Sequence, residues 1–226
     1  MIDTLLGPIA PHSCSGCGNV GSILCDTCKY DIVSEPYGLC VSCTAPCADG
    51  NLCMSCANGY GLAGAWCVAT RSDSLKRLLD RYKFESAREA GTVAASLLDA
   101  RLPLLDKGII VTAVPTAGSN RRSRGFDHTA QIARRVARLR DMTYKPTLRR
   151  RDNTTQHFQK RADRLKLSAD SFEVTGNLPD KILLIDDIYT TGATVRACAD
   201  ALKSAGAKEV YVAIIARQTL DEAAHL

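Results

Sequence analysis

Several features are scarce in this chain of 226 residues, and each scarcity argues against a class of protein. Aromatic residues make up only 5% of the chain, so the stacking platforms of single-strand-binding proteins are few. No apolar run approaches the roughly 20 residues that a membrane-spanning helix needs. The first residues, MIDTLLGPIAPHSC, have neither a basic start nor a long apolar core, which argues against a secretory signal. With 46% apolar and 23% charged residues, the composition is that of a folded protein, and we expect a cytoplasmic one without membrane insertion.

Basic residues are nearly absent from the first 70 residues, which carry one of them, Lys29, against five acidic residues. The rest of the chain holds 28 basic and 19 acidic residues. Cysteine is distributed in the opposite way, because ten of the eleven cysteines lie between Cys14 and Cys67. This division predicts two modules, a cysteine-rich one over residues 1–60 and a basic one over residues 61–226.

The cysteines recur in pairs separated by two intervening residues, a spacing that lets both thiolates of one tight turn face a single ion. Four such pairs are present, namely Cys14 with Cys17, Cys25 with Cys28, Cys40 with Cys43, and Cys53 with Cys56. A reducing cytosol favours metal binding over disulfides, so these eight cysteines predict two closed structural zinc sites. A disulfide or redox cluster is the alternative interpretation.

The pairing of the four cysteine turns stays open at this point. Sequential pairing joins the first turn to the second and the third to the fourth, through short loops that cost little entropy to close. Interleaved pairing would join the first turn to the third. Two further cysteines, Cys47 and Cys67, belong to either scheme or are buried thiols. Because the module has few bulky apolar residues, we expect it to be largely unfolded without metal.

The basic module alternates short apolar strands with amphipathic helices. Strands are predicted near 62–70, 109–114, 182–185 and 210–215, and helices near 74–79, 90–98, 131–140 and 194–204. This alternation predicts an α/β fold, with a parallel sheet and flanking crossover helices.

The strongest local signal is the segment 182–194, which reads ILLIDDIYTTGAT. Four apolar residues predict a buried strand, and Asp186 and Asp187 stand at its C-terminal end, the edge where open α/β sheets bind ligands. The next hydroxyl and backbone N–H groups can surround a phosphate at a helix N-terminus; they belong to Thr190, Thr191, Gly192, Ala193 and Thr194. The two carboxylates suit sugar hydroxyls, or a Mg²⁺ ion coordinated by them. Together these residues predict a site for a ribose 5-phosphate.

This segment resembles the phosphoribosyl pyrophosphate (PRPP) loop of type I phosphoribosyltransferases. The segments 114–116 and 121–127 are similar to those of the ComF/GntX family, whose hallmark is an Arg-Gly-Phe-Asn tetrad; here Asp127 takes the place of the asparagine. The segment Tyr82-Lys83-Phe84 also falls at a similar spacing. The resemblance spans roughly residues 14–217. It implies a double zinc ribbon followed by a type I phosphoribosyltransferase-like sheet with flanking helices.

The resemblance also implies a ligand and a reaction. PRPP or a nucleotide would bind together with Mg²⁺, and an enzyme of this kind would be a phosphoribosyltransferase, a glycosyltransferase that releases pyrophosphate. Asp186, Asp187 and Arg124 are then the candidate catalytic residues, and Arg121 and Arg122 would lie near the pyrophosphate. A pocket retained only to sense a nucleotide is the other interpretation of the same residues.

A second function is suggested by the charge of residues 118–170, which hold fifteen basic and five acidic side chains. This stretch includes Arg149–Arg151 and has the composition of a surface for a polyanion, although a solvated basic face would have the same composition. ComF-type proteins are associated with the uptake of single-stranded DNA by naturally competent cells. The resemblance therefore implies a DNA-handling protein that uses the fold as a scaffold, with a competence helicase as its partner.

Overall fold

The computed structural model describes residues 12–34, 38–47, 52–85, 87–116, 126–151 and 168–218. Within these ranges the helices are α1 (Asp26–Ser34), α2 (Met54–Tyr60), α3 (Asp73–Phe84), α4 (Arg88–Arg101), α5 (His128–Leu139) and α6 (Ala193–Ser204). The strands are β1 (Gly64–Thr70), β2 (Ile110–Ala113), β3 (Thr143–Tyr144), β4 (Leu148–Arg150), β5 (Phe172–Val174), β6 (Lys181–Tyr189) and β7 (Glu209–Arg217).

A five-stranded parallel sheet forms the centre of the molecule, in the order β1-β7-β6-β2-β3. The short strands β4 and β5 make a separate antiparallel pair. This confirms the predicted α/β class with a parallel sheet and flanking helices. Because all five strands run the same way, their C-terminal ends share one edge, and the loops that follow β2 and β6 are neighbours there.

Two apolar cores lie on the two faces of the sheet, because successive side chains of a strand point to opposite faces. On β6, Leu183 and Ile185 belong to the core that contains α3, α4 and α5. Ile182 and Leu184 belong to the other core, which contains α6 and the β4–β5 pair. Strands buried on both faces read as continuous apolar runs, which is why the sequence marks them clearly.

The two halves of the cysteine-rich module pack on opposite faces of this sheet. Ile23, Leu24 and Ile32, from the first half, are buried in the core with α3, α4 and α5. Val41, from the second half, is buried in the core with α6. The few bulky apolar residues of the module are thus used to attach it to the sheet.

Several boundaries differ from the sequence prediction; for example, the helix predicted near 74–79 continues to Phe84 as α3. Strand β6 does not end at Ile185 but continues to Tyr189, because its last residues keep pairing with β7. Helix α5 begins at His128 and not near 131, since the side chain of Asp127 accepts a hydrogen bond from the N–H of Ala130 and so caps the helix. Among the described residues, no helix combines the length and the apolar character that crossing a membrane would require.

Candidate functional site

The loop between β6 and α6, together with the first two residues of α6, contains all five residues predicted to surround a phosphate. Gly192 adopts a left-handed backbone conformation (φ 77°, ψ 0°) that turns the chain from the strand into the helix. A Cβ atom at Gly192 would collide with the hydroxyl group of Tyr189, so the loop is closely packed against the Tyr189 side chain. Thr190 and Thr191 are exposed at the surface of the loop. Hydroxyl groups therefore lie beside the N-terminus of α6, where the helix favours an anion.

The two predicted carboxylates lie on β6 itself, immediately before this loop. Asp186 is buried, and its side chain accepts a hydrogen bond from the N–H of Asp187 at 2.9 Å. Burial, together with the negative charge of Asp187, raises the pKa of Asp186 well above its ordinary value. Two adjacent acids thus have different environments, one buried and one partly exposed.

Asp187 is paired with a cation that sequence reasoning did not assign to the site. The Nζ atom of Lys83, at the end of α3, lies 2.5 Å from the Oδ2 atom of Asp187. Both side chains are largely covered, with 12% and 15% of their surfaces exposed. The Tyr82-Lys83-Phe84 segment is notable in the sequence for its spacing, but that spacing does not reveal which acidic residue pairs with Lys83. The positive charge of Lys83 therefore already offsets part of the negative charge of Asp186 and Asp187.

A cavity of about 340 Å³ lies beyond β2, between α5, β3 and β4. Its lining residues include Arg134, Arg149, Arg150 and Tyr144. The guanidinium carbon of Arg134 lies 4.9 Å from the centre of the Tyr144 ring, a cation–π distance. The cavity combines positive charge with an aromatic surface, and it borders the loop that follows β2.

The segment between Thr116 and Phe126 contains the three arginines predicted to lie near the pyrophosphate. Arg121, Arg122 and Arg124 lie outside the described residues, which end at Thr116 and resume at Phe126. The ends of the loop are held together, because the hydroxyl of Thr116 donates a hydrogen bond to Asp127 at 3.0 Å.

The eight paired cysteines form two separate groups of four. Within each group the sulfur atoms all lie within 4.8 Å of one another; the groups are Cys14, Cys17, Cys25 and Cys28, and Cys40, Cys43, Cys53 and Cys56. This is the sequential pairing, and the short loops within each half are its physical reason. Cys47 and Cys67 belong to neither group, and Cys67 is a buried thiol on β1.

Both groups have the chemistry of a structural zinc site. Burial alone would raise the pKa of Cys14, but the backbone N–H groups of Cys25, Cys17 and Gly16 outweigh it and lower that pKa to about 6. The thiols of Cys25, Cys14 and Cys17, with burial, raise the pKa of Cys28 to about 12. Without a cation the Cys28 thiol therefore stays protonated at neutral pH, whereas a bound zinc ion would favour four thiolates, the ligand set that zinc prefers. Each group can hold one zinc ion.

Comparison with known proteins identifies the family of this chain. The phosphoribosyl transferase domain family matches residues 122–225. Over 198 residues the chain is 30% identical to the competence protein ComFC of Streptococcus pneumoniae, an alignment that covers 85% of this chain and 86% of that protein. The chain belongs to the ComF/GntX family. The competence protein ComFC of Bacillus subtilis is 27% identical over 194 residues, covering 81% of this chain and 79% of that protein. An adenine phosphoribosyltransferase of Symbiobacterium thermophilum is 42% identical over 53 residues, 24% of this chain and 29% of that protein.

In this ComF/GntX protein the altered tetrad residue has a structural explanation. Asp127 replaces the family's asparagine, and its Oδ1 atom accepts hydrogen bonds from both the Thr116 hydroxyl and the Ala130 N–H. A carboxylate can accept both bonds, and its charge suits the N-terminus of α5. The exchange therefore keeps a helix cap while placing a negative charge beside the cavity.

Proposed function

We propose that this protein binds PRPP with Mg²⁺ at the C-terminal end of β6 and supports phosphoribosyl transfer there. The observation that carries the proposal is the order of groups on one strand end, where Asp186 and Asp187 stand two residues before the phosphate loop. A ribose lying across this edge would place its 5-phosphate in the loop and its two ring hydroxyls over the acids. The family match and the adenine phosphoribosyltransferase relative support the same assignment.

Different residues of the site would bind different parts of the ligand. Thr190, Thr191 and Thr194 would donate hydroxyl hydrogen bonds to the 5-phosphate, beside the backbone N–H groups that begin α6. Asp187 would accept hydrogen bonds from the ribose hydroxyls, and Lys83 would then be free to approach the ligand's negative charge. Bound Mg²⁺ would supply charge neutralisation for the pyrophosphate group.

In the transfer step, the bond between ribose carbon 1 and the pyrophosphate oxygen breaks, and pyrophosphate leaves with the bonding electrons. The acceptor's nucleophile forms the new bond to carbon 1. Positive groups on the leaving-group side stabilise this charge separation. Arg121, Arg122 and Arg124 are proposed for that role, and Arg134 borders the same side.

Calorimetric titration of PRPP with Mg²⁺ into zinc-loaded protein tests this function. We expect binding in the parent and loss of binding in Asp187→Asn. A matched control is Asp180→Asn, because Asp180 lies just before the other end of β6, where it pairs with Lys208 at the surface. Equal binding by all three proteins, or none by the parent, would contradict the proposal. Binding confined to the parent and the control would justify a screen of acceptor bases.

The cavity beyond β2 favours a second candidate function, the handling of single-stranded DNA. Its Arg134–Tyr144 pair offers a stacking surface, and Arg149 and Arg150 on β4 offer charges for phosphates. Both curated ComFC relatives carry the name of competence proteins, which agrees with this role. A helicase of the competence machinery is the partner we propose with it.

Binding of a fluorescent oligothymidylate at several salt concentrations tests this second function. We expect affinity to fall steeply with salt, and to fall further in a variant with Arg149, Arg150 and Arg151 changed to glutamine. A charge-matched control changes three exposed cations elsewhere, Lys76, Arg88 and Lys107. Salt-independent binding, or equal losses in both triple variants, would contradict a specific DNA surface. Asp187→Asn should keep DNA binding, which separates the two functions.

A further inference from the structure

A buried arginine connects the phosphate loop to the second group of four cysteines. Arg217 ends β7 and exposes only 3% of its surface. One of its terminal nitrogens, Nη1, donates hydrogen bonds to the carbonyl oxygens of Thr190 at 2.6 Å and of Gln218 at 2.7 Å. The other, Nη2, donates to the carbonyl oxygen of Ser42 at 3.3 Å. The same planar group therefore contacts the first residue of the loop and a residue of the cysteine module.

Ser42 lies inside the turn between two of the ligand cysteines, Cys40 and Cys43. A bound ion would fix this turn, because both flanking thiolates would be held at a single centre. The side chain of Ser42 is also close enough to Tyr189 to offset part of the rise that burial causes in the pKa of that phenol, whose hydroxyl lies next to Gly192 of the phosphate loop. The turn thus reaches the loop by two routes, one through the guanidinium group and one through the phenol.

Helix α2, which belongs to the cysteine-rich module, provides a third contact, because it touches α6, the helix that follows the phosphate loop. It carries the ligand Cys56, and its last residue is Tyr60. The guanidinium carbon of Arg196, on α6, lies 4.1 Å from the centre of the Tyr60 ring. The Nζ atom of Lys203, also on α6, donates to the Tyr60 carbonyl oxygen at 3.0 Å. The second cysteine group is therefore attached to the loop and to its helix.

We propose that Arg217 is a positioning residue through which zinc in the second cysteine group holds the phosphate loop in its binding conformation. Zinc at that group and the phosphorylated ligand at the loop then strengthen each other's binding, because coupling between two sites is reciprocal. The planar fork of arginine suits this role, since it can donate in two directions without losing its shape. The ligand part of this inference rests on the proposed PRPP site, whereas the coupling of the zinc turn to the loop does not.

The first cysteine group supplies a matched control. Its turn is also held by an arginine, because Arg77 of α3 donates to the carbonyl oxygens of Ser15 at 2.7 Å and Gly16 at 2.9 Å. These contacts lead to α3 and not to the phosphate loop. Arg217→Met and Arg77→Met thus remove the same kind of contact, one connected to the loop and one not.

Hydrogen exchange of the zinc-loaded proteins measures the coupling without any ligand. We expect amides of the loop 190–194 to exchange roughly tenfold faster in Arg217→Met than in the parent, and to be unchanged in Arg77→Met. Cys56→Ser and Cys28→Ser repeat the comparison at the level of the metal, with Cys56→Ser expected to affect the loop. This second pair decides the question if Arg217→Met does not fold. Equal loop exchange within each pair would overturn the inference.

Zinc release to a colorimetric chelator measures the reciprocal effect. We expect saturating PRPP with Mg²⁺ to slow the release of one of the two zinc ions roughly tenfold in the parent and in Arg77→Met, but not in Arg217→Met. A merely structural arginine would change release equally with and without PRPP. PRPP that binds the parent by calorimetry without slowing zinc release would overturn the coupling. Failure of PRPP to bind the parent would count against the proposed function alone, and loop exchange would still decide the role of Arg217.

Discussion

Replacing Lys83 by methionine is expected to destabilise the protein, because the negative charge of Asp187 then has no cation beside it. Lys83 and Asp187 lie 2.5 Å apart with 12% and 15% of their side chains exposed, so little water can replace the lost partner. Removing one member of a fully buried pair costs about 3–5 kcal/mol, and the partial exposure here reduces the expected loss to about 2 kcal/mol. For a chain of this length, that loss lowers the unfolding midpoint by roughly 4–8 °C.

A double-mutant cycle separates the ion pair from simple loss of packing. Thermal unfolding of zinc-saturated protein would be followed for the parent, Lys83→Met, Asp187→Asn and the double variant. We expect the double variant to be more stable than the sum of the single losses predicts, by roughly 1–2 kcal/mol, because it leaves no unpaired charge. Lys76→Met, an exposed lysine on the same helix, should leave the midpoint unchanged.

Magnesium adds a test of what the lysine does in the site. Without its ammonium group, two neighbouring carboxylates lack a cation, and Mg²⁺ prefers such oxygen ligands. We therefore expect millimolar Mg²⁺ to raise the midpoint of Lys83→Met more than that of the parent. Additive single losses, together with an equal response to Mg²⁺ in both proteins, would refute this account of the Lys83–Asp187 pair.

Three further predictions concern backbone, metal and thiols. Gly192→Ala and Gly176→Ala both place a side chain at positive φ, which costs about 1–2 kcal/mol, but only the former meets a neighbouring phenol, so it alone should also weaken PRPP binding in calorimetry. Metal analysis of a Cys25→Ser, Cys53→Ser double variant should find no zinc, because the two residues belong to different groups, whereas interleaved pairing would leave one ion. Burial raises the pKa of Cys67 to about 12, so its thiol should resist iodoacetamide in the folded protein at pH 8 and react only after unfolding or as the pH approaches that value; labelling at pH 8 would contradict its burial.

The sequence predicted the parallel sheet and the place of the phosphate loop because both depend on local patterns. Apolar runs such as Ile182–Ile185 mark strands buried on both faces, and the residues that follow such a strand must lie at the edge of the sheet. The helices of the cysteine-rich module were not predicted, since metal ligands and a few contacts with the sheet replace the apolar periodicity that marks a helix. The end of β6 was placed too early because pairing with β7, and not apolar character, keeps Asp186 and Asp187 in the strand.

The spacing of the cysteines by itself determined that metal sites were to be expected. The order of acids, threonines and glycine determined which segment we propose for a phosphorylated ligand. Only the tertiary structure decided which cysteine turns share a site and which face of the sheet each group covers. It also decided that Lys83 reaches Asp187 and that Arg217 reaches Ser42. The physical reason is that Lys83 and Asp187, like Arg217 and Ser42, are distant in the chain and meet only because the strand order brings their elements to one edge of the sheet. Burial there makes each unpaired charge costly.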